Sequence, residues 1–159
     1  MRQPQIERLI AIAALLAGTG ACVTMKPPAM NNGPALSTTG VQVAVVRQRC
    51  GESSVTALDN WIEETVELQV QNGSPGPVRI HRDKLRLLGP NGGVFTTGAS
   101  PTDLLTVPNG GTQTFEVTFT AHGGLDCGRP MQLDPSAAIT SQESPVALPR
   151  VSFVPLALR

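Results

Sequence analysis

The side chains best suited to chemistry in this chain are two histidines, a pair of adjacent glutamates, three cysteines and a short run of cations. Neither His81 nor His122 falls in an H-E-x-x-H pattern or beside a second ligand at a recognised metal spacing. His81 reads as a solvated ring on the polar side of its strand. Met25, Met30 and Met131 are soft donors that copper takes with histidine, but no spacing gathers them. Gly51-Glu52-Ser53-Ser54 lacks the closing glycine of a nucleophile elbow, and a serine nucleophile needs a base and a group to orient that base. Glu63 and Glu64 are neighbours, so on a strand they point to opposite faces, which is poor geometry for acid and base work on one bond. They read as a solvated strand start. Gly92-Gly93 and Gly110-Gly111 are turns rather than phosphate loops, because no helix follows to supply its N-terminus. The expectation is a protein that is not an enzyme and holds no metal or cofactor.

Arg79, His81, Arg82, Lys84 and Arg86 crowd into one short stretch, and Arg47 and Arg49 lie on the first strand. Read functionally, the stretch is a basic strip for an anionic glycan, a lipid head group or an acidic partner. The plainer reading is a solvated face balanced by Glu67 and Asp83. Lys plus Arg number 12 against 12 Asp plus Glu, for a formal charge of +0. The chain has one Trp and no Tyr. A neutral chain short of aromatic platforms is not built to bind nucleic acid, and neutral sugars are disfavoured for the same want of aromatics.

Cys22 stands at the end of a distinctive N-terminal order. Arg2 and Arg8 outweigh Glu7, an apolar run covers residues 9–17, and Gly18-Thr19-Gly20-Ala21 precedes the cysteine. Charged start, short apolar middle and small-residue cleavage site make a secretory signal. The apolar run falls short of the roughly 20 residues that span a bilayer. Thr19-Gly20-Ala21-Cys22 resembles the lipobox of bacterial lipoproteins, although Thr19 and Gly20 stand where Leu and Ala or Ser are commonest. The resemblance implies cleavage after residue 21, acylation of Cys22 (palmitate among the chains) and stable anchoring, since two or three chains hold where one binds only marginally. Cleavage would leave ten basic against eleven acidic side chains, a net charge of about −1. No Asp follows Cys22; Val23 does, and by the same resemblance this favours the outer membrane, with the domain facing the periplasm. Residues 23–40 have no period and carry Pro27-Pro28 and Gly33-Pro34, so residues 22–40 read as a lipidated end and disordered tether.

The elements that must position everything else begin at Val41. Val41, Val43 and Val45 alternate with Gln42, Ala44 and Val46. Residues 53–62 read as a loop with one helical turn near Ala57-Leu58. Val66, Leu68 and Val70 alternate with Glu67, Gln69 and Gln71, and Phe115, Val117 and Phe119 repeat the pattern. Val78, Ile80, Leu85 and Leu87 mark a strand broken near Asp83. Shorter strands are expected at 94–97, 104–107, 131–133, 138–140 and 151–158. Pro155 suggests an edge or a bulge in the last. Turns fall at Asn72-Gly73-Ser74-Pro75-Gly76-Pro77, Gly89-Pro90-Asn91-Gly92-Gly93 and Pro108-Asn109-Gly110-Gly111. Asn72-Gly73-Ser74 also fits a glycosylation sequon and is read as a bend. Many short strands at near-regular spacing predict an all-β fold, an antiparallel β-sandwich of seven to eight strands over residues 41–159.

The strand Val66-Glu67-Leu68-Gln69-Val70-Gln71-Asn72, the strand and turn Leu85-Arg86-Leu87-Leu88-Gly89-Pro90-Asn91-Gly92, and the turn Val107-Pro108-Asn109-Gly110-Gly111 opening residues 114–119 resemble the immunoglobulin-like domains of bacterial envelope lipoproteins. The likeness covers roughly residues 41–121 and implies a fold without shared catalytic residues. With Cys22 lipidated, Cys50 and Cys127 remain. An exported domain sits where disulfides persist, and the two could meet at one end of a sandwich; a metal or redox pair is the rival. Three functions stay open: a lipid-anchored module that contacts an envelope protein, a binder of anionic glycans or lipid head groups through the basic strip, and an exported enzyme or metal carrier.

Overall fold

The computed structural model describes residues 33–56, 59–121 and 127–155, with backbone alone for 52–56 and 59–61. The expected signal, Cys22, the tether up to residue 32, His122 and the last four residues lie outside them. The elements are β1 (Ala35–Leu36), β2 (Val41–Thr56), β3 (Asp59–Asn72), β4 (Val78–His81), a 3-10 turn (Arg82–Lys84), β5 (Arg86–Leu88), β6 (Val94–Thr96), β7 (Leu104–Val107), β8 (Thr112–Ala121), β9 (Met131–Asp134), β10 (Ile139–Ser141), β11 (Ser144–Pro145) and β12 (Val151–Phe153). They form three antiparallel sheets ordered β1-β2-β3-β8, β11-β10-β4-β7 and β12-β9-β5-β6. The all-β sandwich expected from the sequence is the fold. The strand count is twelve among the described residues rather than seven or eight. Part of the excess comes from two-residue pairings at β1 and β11, which no alternation can announce, and from the run 78–88 being divided between two sheets.

The first sheet is one layer; the other two make the second. Chain order gives the layers an immunoglobulin-type division, with β2, β3 and β8 side by side in one and β5, β9 and β12 side by side in the other. The second layer is split because two neighbouring paths break at one level. β4 leaves its sheet through the 3-10 turn and resumes as β5, while β9 leaves the other sheet through the bend at Pro135 and resumes as β10. His81 N–H donates to the Ala138 carbonyl at 2.7 Å where the two breaks meet. Both inner faces then fill one core: Val66, Leu68, Val70, Phe115, Val117 and Phe119 from the first layer, and Val78, Ile80, Leu85, Leu87, Met131, Leu133 and Phe153 from the second. Burying each such side chain fully is worth about 1.5–3 kcal/mol.

Two features of the first layer depart from the expectation. Residues 53–56 and 59–62 are strand rather than loop, and Ala57 and Leu58, where the helical turn is expected, lie outside the described residues. β2 and β3 stay paired as far as Thr56 opposite Asp59, although β8 stops at Ala121 opposite Ile62. Beyond that point, among the described residues, the pair is a two-stranded arm. Ser, Asp and Asn in this stretch are weak strand formers, but the register set by the core carries through them, so tertiary pairing overrides propensity. The second feature is a bulge: Val45 pairs with Leu68 but the next paired residue is Arg47, with Glu67. Val46 is skipped and left 48% exposed. Before the bulge the odd residues of β2 face the core; after it the even ones do. That change of phase turns Cys50 inward and Arg47 and Arg49 outward.

Candidate functional site

The polar chemistry the fold gathers lies near the middle of β3, not on the basic strip. Cys50, Glu64 and Phe119 stand side by side across β2, β3 and β8. Directly opposed residues of an antiparallel sheet share a face, and all three are fully buried. Cys50 is bonded to Cys127, with Cα atoms 5.6 Å apart and 77 residues between them in the chain. The two half-cystines are unequal: Cys50 is inside the sandwich, whereas Cys127 is partly exposed on the turn that leads to β9. On the chain-entropy view, closing a loop of this length stabilises by about 4–5 kcal/mol. The end of the chain is tied to the same corner. Gln48, brought inward by the bulge, donates from Nε2 to the Val154 carbonyl at 3.1 Å, and Gly128 N–H donates to the Pro155 carbonyl at 2.9 Å.

Glu64 is the residue that the sequence reading placed wrongly. It was expected at a solvated strand start; only Glu63 is exposed, and Glu64 is sealed in the core. The signal was present, because Glu64 is in phase with Val66, Leu68 and Val70. Neither carboxyl oxygen has a hydrogen-bond partner among the described residues. Burial pushes its pKa up to about 8, since an unpaired charge is costly away from water. At neutral pH the side chain is therefore a neutral acid, able to give up a proton.

The basic strip is divided among different tasks. Arg79 points outward from β4, between Thr106 on β7 and Thr140 on β10. His81 Nε2 lies 3.4 Å from the Thr140 hydroxyl. Arg82 is paired with Asp103, and its carbonyl accepts from the Thr97 hydroxyl at 2.9 Å. Arg86 donates to the carbonyls of Asp83 and Leu85 at 3.1 and 3.3 Å, holding the 3-10 turn. Arg79 and Lys84 are left without an ion pair among the described residues. Arg47 and Arg49 belong to the opposite layer, where they meet Glu67 at 3.5 Å and Glu116 at 2.8 Å. Glu67 thus balances Arg47 and takes no part in the strip. The surface hollow nearest Arg79, about 340 Å³, is lined also by Pro77, Gln142 and Glu143, so it brings one cation and one carboxylate together. Among the described residues no three metal-binding side chains gather.

No family model matches the chain, and no curated protein matches it in sequence. Similarity appears among solved structures. A protein of Bacillus subtilis, ycdA, described as a candidate lipoprotein, superposes with a TM-score of 0.57 at 12% identity over 76% of this chain. The chain spans only 38% of that structure's length. The yjhA protein of Bacillus subtilis gives a TM-score of 0.47 at 13% identity, covering 69% of this chain and 84% of its own. At such identities the likeness to ycdA is one of fold: an antiparallel β-sandwich shared with a protein described as a candidate lipoprotein.

Proposed function

We propose that this chain is a lipid-anchored envelope protein whose β-sandwich makes non-catalytic contact with another envelope protein. The observation that carries the reading is the short distance between its two halves: thirteen positions after the cysteine of the lipobox-like Thr19-Gly20-Ala21-Cys22, the first paired strand, Ala35–Leu36, begins. Acylation at Cys22 would hold the domain close to a membrane surface. A disulfide between Cys50 and Cys127 fits an oxidising, exported compartment. The β2–β3 arm beyond Ile62 offers the contact surface. It outruns the rest of its sheet, so its backbone can pair with another chain, and the only Trp, Trp61, lies at its base in sequence. Tryptophan is among the side chains most enriched where proteins meet. The outer membrane, with the domain on its periplasmic side, is the placement the residue after Cys22 favours.

The test is cross-linking in intact cells that express the full chain, with metabolic labelling by palmitate. Label on the wild type, capture of one or two envelope proteins, and loss of both in Cys22→Ser support the reading. A second variant replaces residues 53–60 with a two-residue Asn-Gly turn; it should keep the label and lose the partner. An unlabelled wild type that stays in the soluble fraction overturns the anchor. Equal capture by all three forms overturns the arm as the contact.

A further inference from the structure

A buried carboxylic acid with no hydrogen bond is an unusual thing to keep beside a disulfide. Polar groups in a core are normally paired, and an apolar side chain of similar size would remove the cost at Glu64. Three facts converge on this corner. Glu64 lies directly opposite Cys50, which for such a pair sets the Cβ atoms about 4.5–5.5 Å apart. Its carboxyl has no other hydrogen-bonding task. The disulfide joins one fully buried residue, Cys50, to one that is partly exposed on a surface turn, Cys127. Thiol–disulfide exchange needs that asymmetry: an accessible sulfur to be attacked, and a second sulfur that leaves and must be stabilised.

We propose that Cys50–Cys127 is a thiol–disulfide exchange site that takes electrons from a dithiol, with Glu64 as proton donor to the departing Cys50. In the first step a thiolate of the dithiol attacks Cys127 Sγ. A bond forms between the two sulfurs and the Cys127–Cys50 bond breaks, leaving Cys50 as a thiolate. Glu64 passes its proton to that sulfur and becomes a carboxylate. In the second step the other thiol of the dithiol, as thiolate, attacks its own partner's sulfur in the mixed disulfide. Cys127 is released as a thiolate and the dithiol leaves as a disulfide. Two electrons have moved from the dithiol to the protein. Reoxidation runs the same steps backward, with the Glu64 carboxylate taking the Cys50 proton. A thiolate appearing in an apolar core without a donor would be strongly disfavoured, which is what a neutral acid opposite it corrects.

The described residues around Glu64 offer its carboxyl no competing partner. The inner-face neighbours on its own strand are Ile62 and Val66; across from it are Gln48 and Cys50 on β2, and Val117, Phe119 and Ala121 on β8. The second layer contributes Met131 and Leu133 from β9 and Val151 and Phe153 from β12 to the same core, all apolar. Glu63 and Arg49, next to Glu64 in sequence and register, face outward; on the inner face the nearest titratable residue by register is Glu52, paired with Ile62, and Asp126, which precedes Cys127, lies outside the described residues.

The experiment follows reduction of the oxidised full chain by dithiothreitol, quenched with an alkylating agent and read by mass spectrometry, for the wild type, Glu64→Gln and Glu64→Met. Rates are divided by the concentration of dithiothreitol thiolate at each pH. In the wild type the corrected rate should fall as pH rises through about 8, where the carboxyl loses its proton, and both variants should be slower by tenfold or more below pH 7 and independent of pH. Glutathione, a single thiol, should be trapped on Cys127. Three results each overturn the proposal: equal corrected rates in wild type and variants, glutathione found on Cys50, or a wild-type rate that rises with sub-denaturing urea as steeply as global unfolding does. The last would mean that the bond opens only when the sandwich unfolds.

Discussion

Two buried polar side chains sit on the same strand and the same face of β3, and they are treated in opposite ways. At one end Asn72 uses its whole amide. Its Nδ2 donates to the carbonyls of Gly76 and Val107 at 2.8 and 3.0 Å, and its Oδ1 accepts from the Ser74 N–H at 2.9 Å and the Ser74 hydroxyl at 2.6 Å. Its backbone also pairs with Gly110 and Gly111, at 2.7 and 2.9 Å. Asn72 thereby locks the turn after β3 to the turn before β8. Toward the other end Glu64 makes none of the bonds its carboxyl could make. A fully bonded core amide is architecture. A core acid with no partner among the described residues lowers stability.

That contrast can be broken by substitution, and the largest effect should come from the cross-link beside Glu64. Cys50→Ala with Cys127→Ala removes the closed loop and should lower unfolding free energy in urea by about 4 kcal/mol. Asn72→Leu comes next. It strands the Val107 carbonyl and the Ser74 N–H, while the Ser74 hydroxyl still reaches the Gly76 carbonyl at 3.0 Å, and should cost about 3 kcal/mol, since each buried group left unpaired loses about 1–3 kcal/mol. A loss under about 1 kcal/mol would erase the distinction between the two sites.

Glu64→Met should act with the opposite sign, raising stability below pH 5 by about 1–2 kcal/mol because an unpaired polar group is exchanged for an apolar one, and by more as pH rises. The effect depends on pH. Folded, Glu64 keeps its proton up to about pH 8; unfolded, it releases it near 4.5. Between these values the folded state holds the extra proton. The contribution is therefore fully present below about pH 4.5 and is lost as pH rises through about 8. One proton bounds the slope at roughly 1.4 kcal/mol per pH unit. Urea titrations from pH 5 to 9 should show the wild type losing stability steadily while Glu64→Met loses less; parallel curves would mean the carboxyl is already solvated. The smallest change is expected at Arg49→Ala. Its pair with Glu116 is half exposed on both sides, so screening by water should hold the loss under about 0.5 kcal/mol.

Alternation and turn chemistry carried most of the architecture. Val66, Leu68, Val70, Phe115, Val117 and Phe119 are inside as their period requires. The break near Asp83 is real, and Gly92 and Gly110 take the positive φ that their turns need, at 80° and 71°. The pairing of Cys50 with Cys127 was also within reach, because few cysteines leave few choices. Of the strand expected over 151–158, Val151–Phe153 is paired within the described residues, and the carbonyls of Val154 and Pro155 then accept from Gln48 and Gly128. The basic strip was legible as composition but not as a site, because sequence proximity says nothing of partners: Asp103, which takes Arg82, comes from the segment before β7.

Sequence by itself determined which residues prefer the core and where the chain must bend, because period-two burial and turn conformations are local properties of the backbone. It also supplied a leader-like start ending at Cys22. Only the tertiary structure decided the phase of β2 after Val46, and with it the inward turn of Cys50, because a bulge is a property of two paired strands. It likewise decided the length of the β2–β3 arm, where register set in the core carries through weak strand formers. The isolation of Glu64 was settled in the same way: whether a buried acid finds a partner depends on side chains from β2, β8 and the facing layer, which meet it only when the sandwich closes.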